Sequence, residues 1–280
     1  RQTAIRFGGI TIQQQPGGSE QDGGLGGRGP ASVAKGFTLR DEAETVRWVH
    51  AEVTERGALP LVEAEAVVRS LVVAMHADGP MLIPLLRIKA FDQYTTTHSL
   101  NVSILAMALA ESLGHVPRDV RAIGSAGLLH DLGKVRVPQQ ILTKAGSLSP
   151  EERELLELHP ADGARIILNS DRRLTLQAAV AYEHHIMLDG GGYPRRHFGR
   201  DCHYASMIIH VCDVYDALRT ERPYRGAWPS AEALAYIERR SGKEFEPAIA
   251  EAFASLLRRH ERETAHIDED QPVGSVGKAA

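Results

Sequence analysis

Five histidines and two aspartates carry the chemistry this sequence could perform. His130 and Asp131 stand side by side in Leu128-Leu129-His130-Asp131-Leu132-Gly133-Lys134. His98 precedes them and His159 follows. His184 and His185 form a pair ahead of Ile186-Met187-Leu188-Asp189-Gly190-Gly191-Gly192-Tyr193-Pro194, and Asp213 stands in Cys212-Asp213-Val214-Tyr215-Asp216. Imidazole and carboxylate together suit iron or manganese. A carboxylate beside a histidine can bridge two ions, and two ions can clamp a phosphoryl group for attack by bound hydroxide.

Each of these residues also has an ordinary reading. A lone His98 among Leu100, Val102, Ile104 and Leu105 reads as a packed core residue. His130-Asp131 and His159-Pro160 read as polar helix ends. An aspartate closing the apolar run Ala126-Gly127-Leu128-Leu129 needs a partner for its charge, however. Gly133 lets the chain turn there, so that Lys134 can aim its ammonium back over the site. His184 and His185 point about 100° apart on a helix, so both reach one metal only where the helix ends. The glycines at 190, 191 and 192 supply that freedom. Asp216 is one turn after Asp213 and shares its face, where it orients a neighbour or binds substrate. His210, one turn before Asp213, reads as a supporting or surface residue before it reads as a ligand. His50, His76, His115, His197, His203, His260 and His266 have no such context. All seven ordinary readings would have to hold at once to dismiss a metal site.

The elements that must position these residues read as helices. Residues 1–37 are dense in glycine and predict a flexible tail. A phosphate-binding loop there lacks its Lys-Ser/Thr ending. Residues 38–83 form an N-terminal helical segment or linker, with helices over Leu39–Arg56 and Leu61–His76. They could dimerise the chain, link it to a sensor, or pack on the main core. Further helices are predicted over Tyr94–Gly114, Arg118–Leu132, Glu151–His159, Ala161–Leu168, Leu174–His185, Tyr204–Arg219, Ser230–Ser241 and Pro247–His260. Ser149, before Pro150, and Ser230 read as N-caps. No strand alternation stands out. Residues 266–280 read as a second flexible tail.

The length of 280 residues and a hydrophobic content of 43% support one or two domains with a sizeable core. A net charge of −4 argues against a nucleic acid polymer or an anionic membrane as partner. Two cysteines, Cys202 and Cys212, make no disulfide scaffold and fit a reducing, cytoplasmic location. No apolar run is long enough for a membrane span. The first residues, Arg1 to Phe7, lack a signal-peptide core. The absence of an initiator Met fits a fragment or a processed form.

From about Ala90 to Leu257 the chain resembles the HD-GYP family, a branch of the HD phosphohydrolases. Tyr94-Thr95-Thr96-Thr97-His98-Ser99-Leu100-Asn101-Val102 and His130-Asp131-Leu132-Gly133-Lys134-Val135-Arg136-Val137-Pro138 match it. So do His159-Pro160 with Gly163, and the His184-His185 run ending in Gly192-Tyr193-Pro194. Asp213-Val214-Tyr215-Asp216-Ala217-Leu218, Arg222-Pro223-Tyr224-Arg225 and Gly242-Lys243-Glu244-Phe245-Glu246-Pro247 complete the match. The resemblance implies an all-α, HD-type helical bundle over 84–265, carrying the additional N-terminal helical segment. It implies hydrolysis of the bacterial second messenger cyclic di-GMP to pGpG, with a further cut to GMP left open, by a metal-bridging hydroxide. Carried over, His98, His130, Asp131 and Asp213 hold one ion. Asp131, His159, His184 and His185 hold the other, with Asp131 bridging. Lys134 contacts the scissile phosphate, Arg222 and Arg225 contact the ligand, and Gly192, Tyr193 and Pro194 shape the mouth. Iron is the first expectation for the metal and manganese the second.

Two departures from the family pattern qualify this. Ile186 replaces the usual Glu after the histidine pair, removing a carboxylate that would orient a ligand histidine. Tyr94 stands where some members carry a third-metal Glu, so two ions are expected. Two rival readings remain: a weakened module that binds cyclic di-GMP and signals through a protein partner, and a phosphohydrolase of another nucleotide, such as a deoxynucleoside triphosphate or a mixed cyclic dinucleotide.

Overall fold

The structure, a computed structural model, describes residues 5–7, 10–12, 39–76, 94–195, 201–221 and 226–269. Strands β1 (Ile5–Phe7) and β2 (Ile10–Ile12) pair antiparallel. They lie where the sequence predicted only a glycine-rich tail. Three residues are too few for an alternation to stand out from its surroundings.

All the remaining elements are helical. Helix α1 covers Arg40–Arg56 and α2 Leu61–His76. Then come α3 (Tyr94–Ser112), α4 (Pro117–Leu129), a 3-10 turn over Leu132–Arg136, and the short α5 (Gln139–Leu142) and α6 (Pro150–Leu156). Helices α7 (His159–Ser170), α8 (Thr175–Glu183), α9 (Tyr204–Arg219), α10 (Ser230–Arg240) and α11 (Pro247–Glu269) complete the fold. Helix α11 runs unbroken past residue 265, where the sequence placed the start of a tail.

Helix α3 is the axle. Every residue from Thr96 to Ala110 is buried, as expected of a helix that is apolar on all sides and surrounded by partners. Of its polar residues, Ser103 Oγ donates to the Gly124 carbonyl at 2.8 Å, whereas Ser99 Oγ is buried with no hydrogen-bond partner among the described residues. Helix α4 lies close against it because Gly124 and Gly127 carry no side chain. A Cβ at Gly124 would come 2.4 Å from Met107 Sδ, and one at Gly127 would come 3.1 Å from Ser103 Cα.

Local signals behave unevenly. Ser149 forms a full capping box with Glu152, satisfying two orphan N–H groups at the start of α6. Ser230 does not cap α10; Pro229 occupies that position, and the Ser230 hydroxyl pairs with Tyr215 at 2.9 Å. The N-terminal pair packs on the main body. Val46, Val49 and Val53 of α1 and Val67, Val68 and Leu71 of α2 join the same buried core as α3 and α4. Among the described residues no helix is long and apolar enough to cross a membrane.

Candidate metal centre

Five helix ends or faces meet at one point. His98 lies in the first half of α3, and Asp213 in the middle of α9. His130 and Asp131 form the junction between α4 and the 3-10 turn. His159 opens α7, and His184 and His185 follow the last residue of α8. His98, His130, Asp131, His159 and His184 are at most 1% exposed, Asp213 is 7% exposed, and His185 is partly buried.

Backbone carbonyls aim three of the imidazoles. Helix ends leave their last carbonyls without intrahelical partners. Nδ1 of His130 donates to the Gly127 carbonyl at 2.7 Å, Nδ1 of His159 to Leu156 at 2.7 Å, and Nδ1 of His184 to Ala181 at 2.9 Å. Each acceptor lies three residues back, in the last turn of a helix. His98 uses a carboxylate instead, Nδ1 donating to Asp216 Oδ2 at 2.7 Å, and Asn101 holds the other oxygen of Asp216 at 2.8 Å. Committing Nδ1 in this way fixes the tautomer and turns Nε2 inward.

The inward atoms converge on two carboxylates. Asp131 Oδ1 is 3.2 Å from His159 Nε2 and 3.6 Å from His184 Nε2. Its Oδ2 is 3.4 Å from His130 Nε2 and 3.7 Å from His98 Nε2. Asp213 Oδ1 is 3.1 Å from His98 Nε2, and its Oδ2 is 3.7 Å from His185 Nδ1. Ligand atoms of Asp131, His159, His184 and His185 lie within 4.8 Å of one another, as do those of His98, His130 and Asp131, and those of His130, His184 and Asp213. The structure therefore brings all seven predicted residues into one pocket, with Asp131 common to two of the three groups.

The electrostatics fit a cation. His130 Nε2 and Asp131 Oδ1 are buried with no hydrogen-bond partner, a costly arrangement unless something else binds them. Burial by itself would raise Asp131, but the charge of Lys134, 2.5 Å away, and neighbouring His130 hold it well below the usual carboxylate range. Burial likewise works against ionised Asp213, and His98 overcomes it, keeping that carboxyl well below its ordinary value. Burial brings His184 down to about 4, so the imidazole is neutral and its lone pair is available. His185 is driven well below its ordinary value by burial and by His184. Burial would lower His98 too, yet Asp213 and Asp216 outweigh it and raise it to about 9. The gap between His98 and Asp213 is thus one that a positive charge stabilises. This His/Asp cluster supports divalent metal binding.

Gly133 works by close approach. A Cβ there would come 1.9 Å from the His159 carbonyl, so its absence lets the 3-10 turn abut α7. Gly192 has φ of +78° and sits against the His185 carbonyl, where a Cβ would come within 2.0 Å. The loop it closes lays Tyr193 on His185, ring centroids 4.5 Å apart. Ile186 is buried and bridges Gly192. Of the pair before it, His184 has a backbone partner in the Ala181 carbonyl, whereas His185 has Asp213 Oδ2 at 3.7 Å. Arg222 and Arg225 lie outside the described residues. Sequence reasoning missed His50 and Thr54, which line the cavity above Asp131 and Lys134 from α1. Their chemical signal is weak, and only the docking of α1 reveals them.

A family model described as "HD domain" matches residues 80–249, more than half of the chain. The cyclic di-GMP phosphodiesterase PA4108 of Pseudomonas aeruginosa is 38% identical over 203 residues, which is 71% of this chain and 48% of that protein. A cyclic di-GMP phosphodiesterase of Thermotoga maritima is 39% identical over 59% of this chain and 45% of its own length. The 3'3'-cGAMP-specific phosphodiesterase 2 of Vibrio cholerae is 33% identical over 59% of this chain and 32% of its own. The chain spans about half, or less, of the length of these relatives. Among solved structures, Bd1817, a HDG"Y"P protein from Bdellovibrio bacteriovorus, superposes with a TM-score of 0.58 at 20% identity, covering 78% of this chain and 69% of that one. That likeness establishes the helical fold.

Proposed function

The chain belongs to the HD domain family, and on that footing we propose that it hydrolyses a phosphodiester bond of cyclic di-GMP, opening the ring to linear pGpG, with GMP as the product of a second cut. The observation that carries this reading is the position of Asp131, whose two oxygens face two different sets of inward-turned histidines. His98, His130, Asp131 and Asp213 would hold one divalent ion, and Asp131, His159, His184 and His185 the other. Iron is the first choice and manganese the second, since imidazole mixed with carboxylate accommodates both. Two such ions would supply Lewis acidity and lower the pKa of a bound water enough for hydroxide, the nucleophile, to form at neutral pH.

The chain's own residues do the rest. Lys134 brings a positive charge to the edge of the pocket and stabilises the charge that grows on the phosphoryl oxygens. Asp216 keeps His98 in one tautomer. Tyr193, its ring tilted against that of His185, narrows the mouth and limits water entry. Arg222 and Arg225 suit phosphate and guanine edges through paired N–H donors. The signalling-module reading is the weaker one, since the chain keeps all seven expected ligands within the groups of neighbouring ligand atoms. A mixed cyclic dinucleotide stays as the second reading, favoured by the similarity to a cGAMP-specific relative. For dimerisation through the N-terminal helices, Trp48 of α1 and Val62 and Val73 of α2 are the large apolar side chains that stay exposed.

The test is elemental analysis of protein loaded anaerobically with iron, combined with product analysis on cyclic di-GMP and 3'3'-cGAMP in competition. The expected result is about two ions per chain and pGpG as the first product. His130→Ala or Asp131→Ala should remove metal and turnover together, by about 1000-fold or more, because each step of several kcal/mol in transition-state stabilisation is worth orders of magnitude in rate. Full turnover in either variant would refute the site.

A further inference from the structure

A cavity of about 320 Å³ lies directly over Asp131 and Lys134. Thr95 of α3 and Lys134, Val135 and Val137 of the 3-10 turn and its exit form part of its lining. Another part is His50 and Thr54 of α1, a helix that lies wholly before the region matched by the HD domain family. Residues four apart on a helix share a face, and this face is held firmly. Val46, Val49 and Val53 are 2–3% exposed and anchor α1 in the common core. Thr54 Oγ1 donates to the His50 carbonyl at 2.8 Å, so toward the cavity its oxygen is an acceptor. Neither His50 nor Thr54 falls in the groups of potential metal ligands.

A cyclic dinucleotide is far larger than the phosphate that reacts. Its ribose hydroxyls and second phosphate need donors and acceptors beyond the metal ligands, and the cavity is of the size that small-molecule sites have. We propose that His50 and Thr54 bind the ribose–phosphate frame of the ligand on the side away from the reacting phosphorus, making α1 a wall of the substrate site. The imidazole donates to a phosphate or ribose oxygen, and the threonine accepts from a ribose hydroxyl. This rests on the cyclic dinucleotide reading above and assigns α1 a share in ligand specificity.

The test compares wild type with His50→Ala, His50→Gln and Thr54→Val in the full, iron-loaded chain. Two substrates are used: cyclic di-GMP, and bis(p-nitrophenyl) phosphate, a diester with neither ribose hydroxyls nor a second phosphate. His50→Ala should raise KM for cyclic di-GMP roughly three- to tenfold, the worth of one hydrogen bond. Its kcat/KM for the small diester and its iron content should stay within about twofold of wild type. His50→Gln, whose amide can still donate, should recover part of the loss, and Thr54→Val should raise KM by a smaller factor. Unchanged constants in both His50→Ala and Thr54→Val would overturn the proposal. So would a parallel fall on both substrates with loss of iron, which would place His50 in the service of the metals. Wild type that cleaves the small diester but neither binds nor cleaves cyclic dinucleotides would instead sink the preceding functional reading and deprive this wall of its ligand.

Discussion

Two histidine neighbourhoods meet at the backbone of His184, and they differ at a single nitrogen. In the candidate metal centre, His130, His159 and His184 each give Nδ1–H to a helix-end carbonyl and send Nε2 into a space shared with Asp131 and Asp213. His210, in the middle of α9, also gives Nδ1–H to a carbonyl, that of His184, at 2.7 Å. Its Nε2 is buried without a hydrogen bond, beside a second cavity of about 210 Å³ lined by Ile186, Met187, Met207 and Phe245 together with Asp201, Cys202, Glu244 and Glu246. Glu244 Oε1 is 3.8 Å away, and the other oxygen of that carboxylate accepts from Arg240 at 2.7 Å and from Tyr236 at 3.2 Å. Burial accordingly holds His210 below its ordinary pKa. The same anchoring rule thus makes a ligand in one place and a packing residue in the other. What decides is whether the free nitrogen joins a close cluster of ligand atoms, and His210 falls in none of the groups of potential ligands found among the described residues.

The comparison is sharpened first at its most sensitive point, the partner that aims His98. Asp216→Ala removes the carboxylate that holds this ring, and iron affinity should fall about 10–100-fold, as for other residues that orient a metal-binding histidine. Competition with a chelator of known affinity measures this, and a fall below about threefold would mean that ring orientation is set elsewhere. A smaller effect is expected on the other side. His210→Phe should leave iron content within about twofold of wild type while costing about 1 kcal/mol of stability, because the His184 carbonyl loses its donor. Loss of iron in that variant would break the distinction between the two neighbourhoods.

The smallest effect concerns a histidine outside both. His76, at the end of α2, is raised above 6.5 by the Val72 carbonyl and then by Glu111 of α3, whose carboxylate lies 3.1 Å away. A raised folded pKa contributes stability that is fully present below the unfolded value of 6.5 and is lost as pH rises through the higher folded value. The contact is partly exposed and screened by solvent, so about 0.3 kcal/mol is expected. The urea midpoint of wild type minus that of His76→Ala should be larger at pH 5.5 than at pH 8.5. A difference of the opposite sign would contradict the assigned ion pair.

The sequence made most of the site legible. His98, His130, Asp131, His159, His184, His185 and Asp213 could be named from their residue types and flanking motifs, and α2 and α9 carry the predicted bounds. Two supports were not legible. Besides the turn expected of it, Gly133 permits contact with the His159 carbonyl. The Ala181 carbonyl, three residues before His184, holds that ring. Both partners are backbone atoms, which a list of side chains does not reveal.

Residue chemistry, helical period and capping act over a few positions, so the chain by itself determined its helices, its ligand types and the pairing of Asp131 with its neighbouring histidine. Which nitrogen of each imidazole turns inward, which cavity His210 faces, and the arrival of His50 over Asp131 from some eighty residues upstream were decided only in the folded molecule. These depend on the packing of α1, α3, α4, α7, α8 and α9 against one another, and such packing couples residues that no local pattern connects.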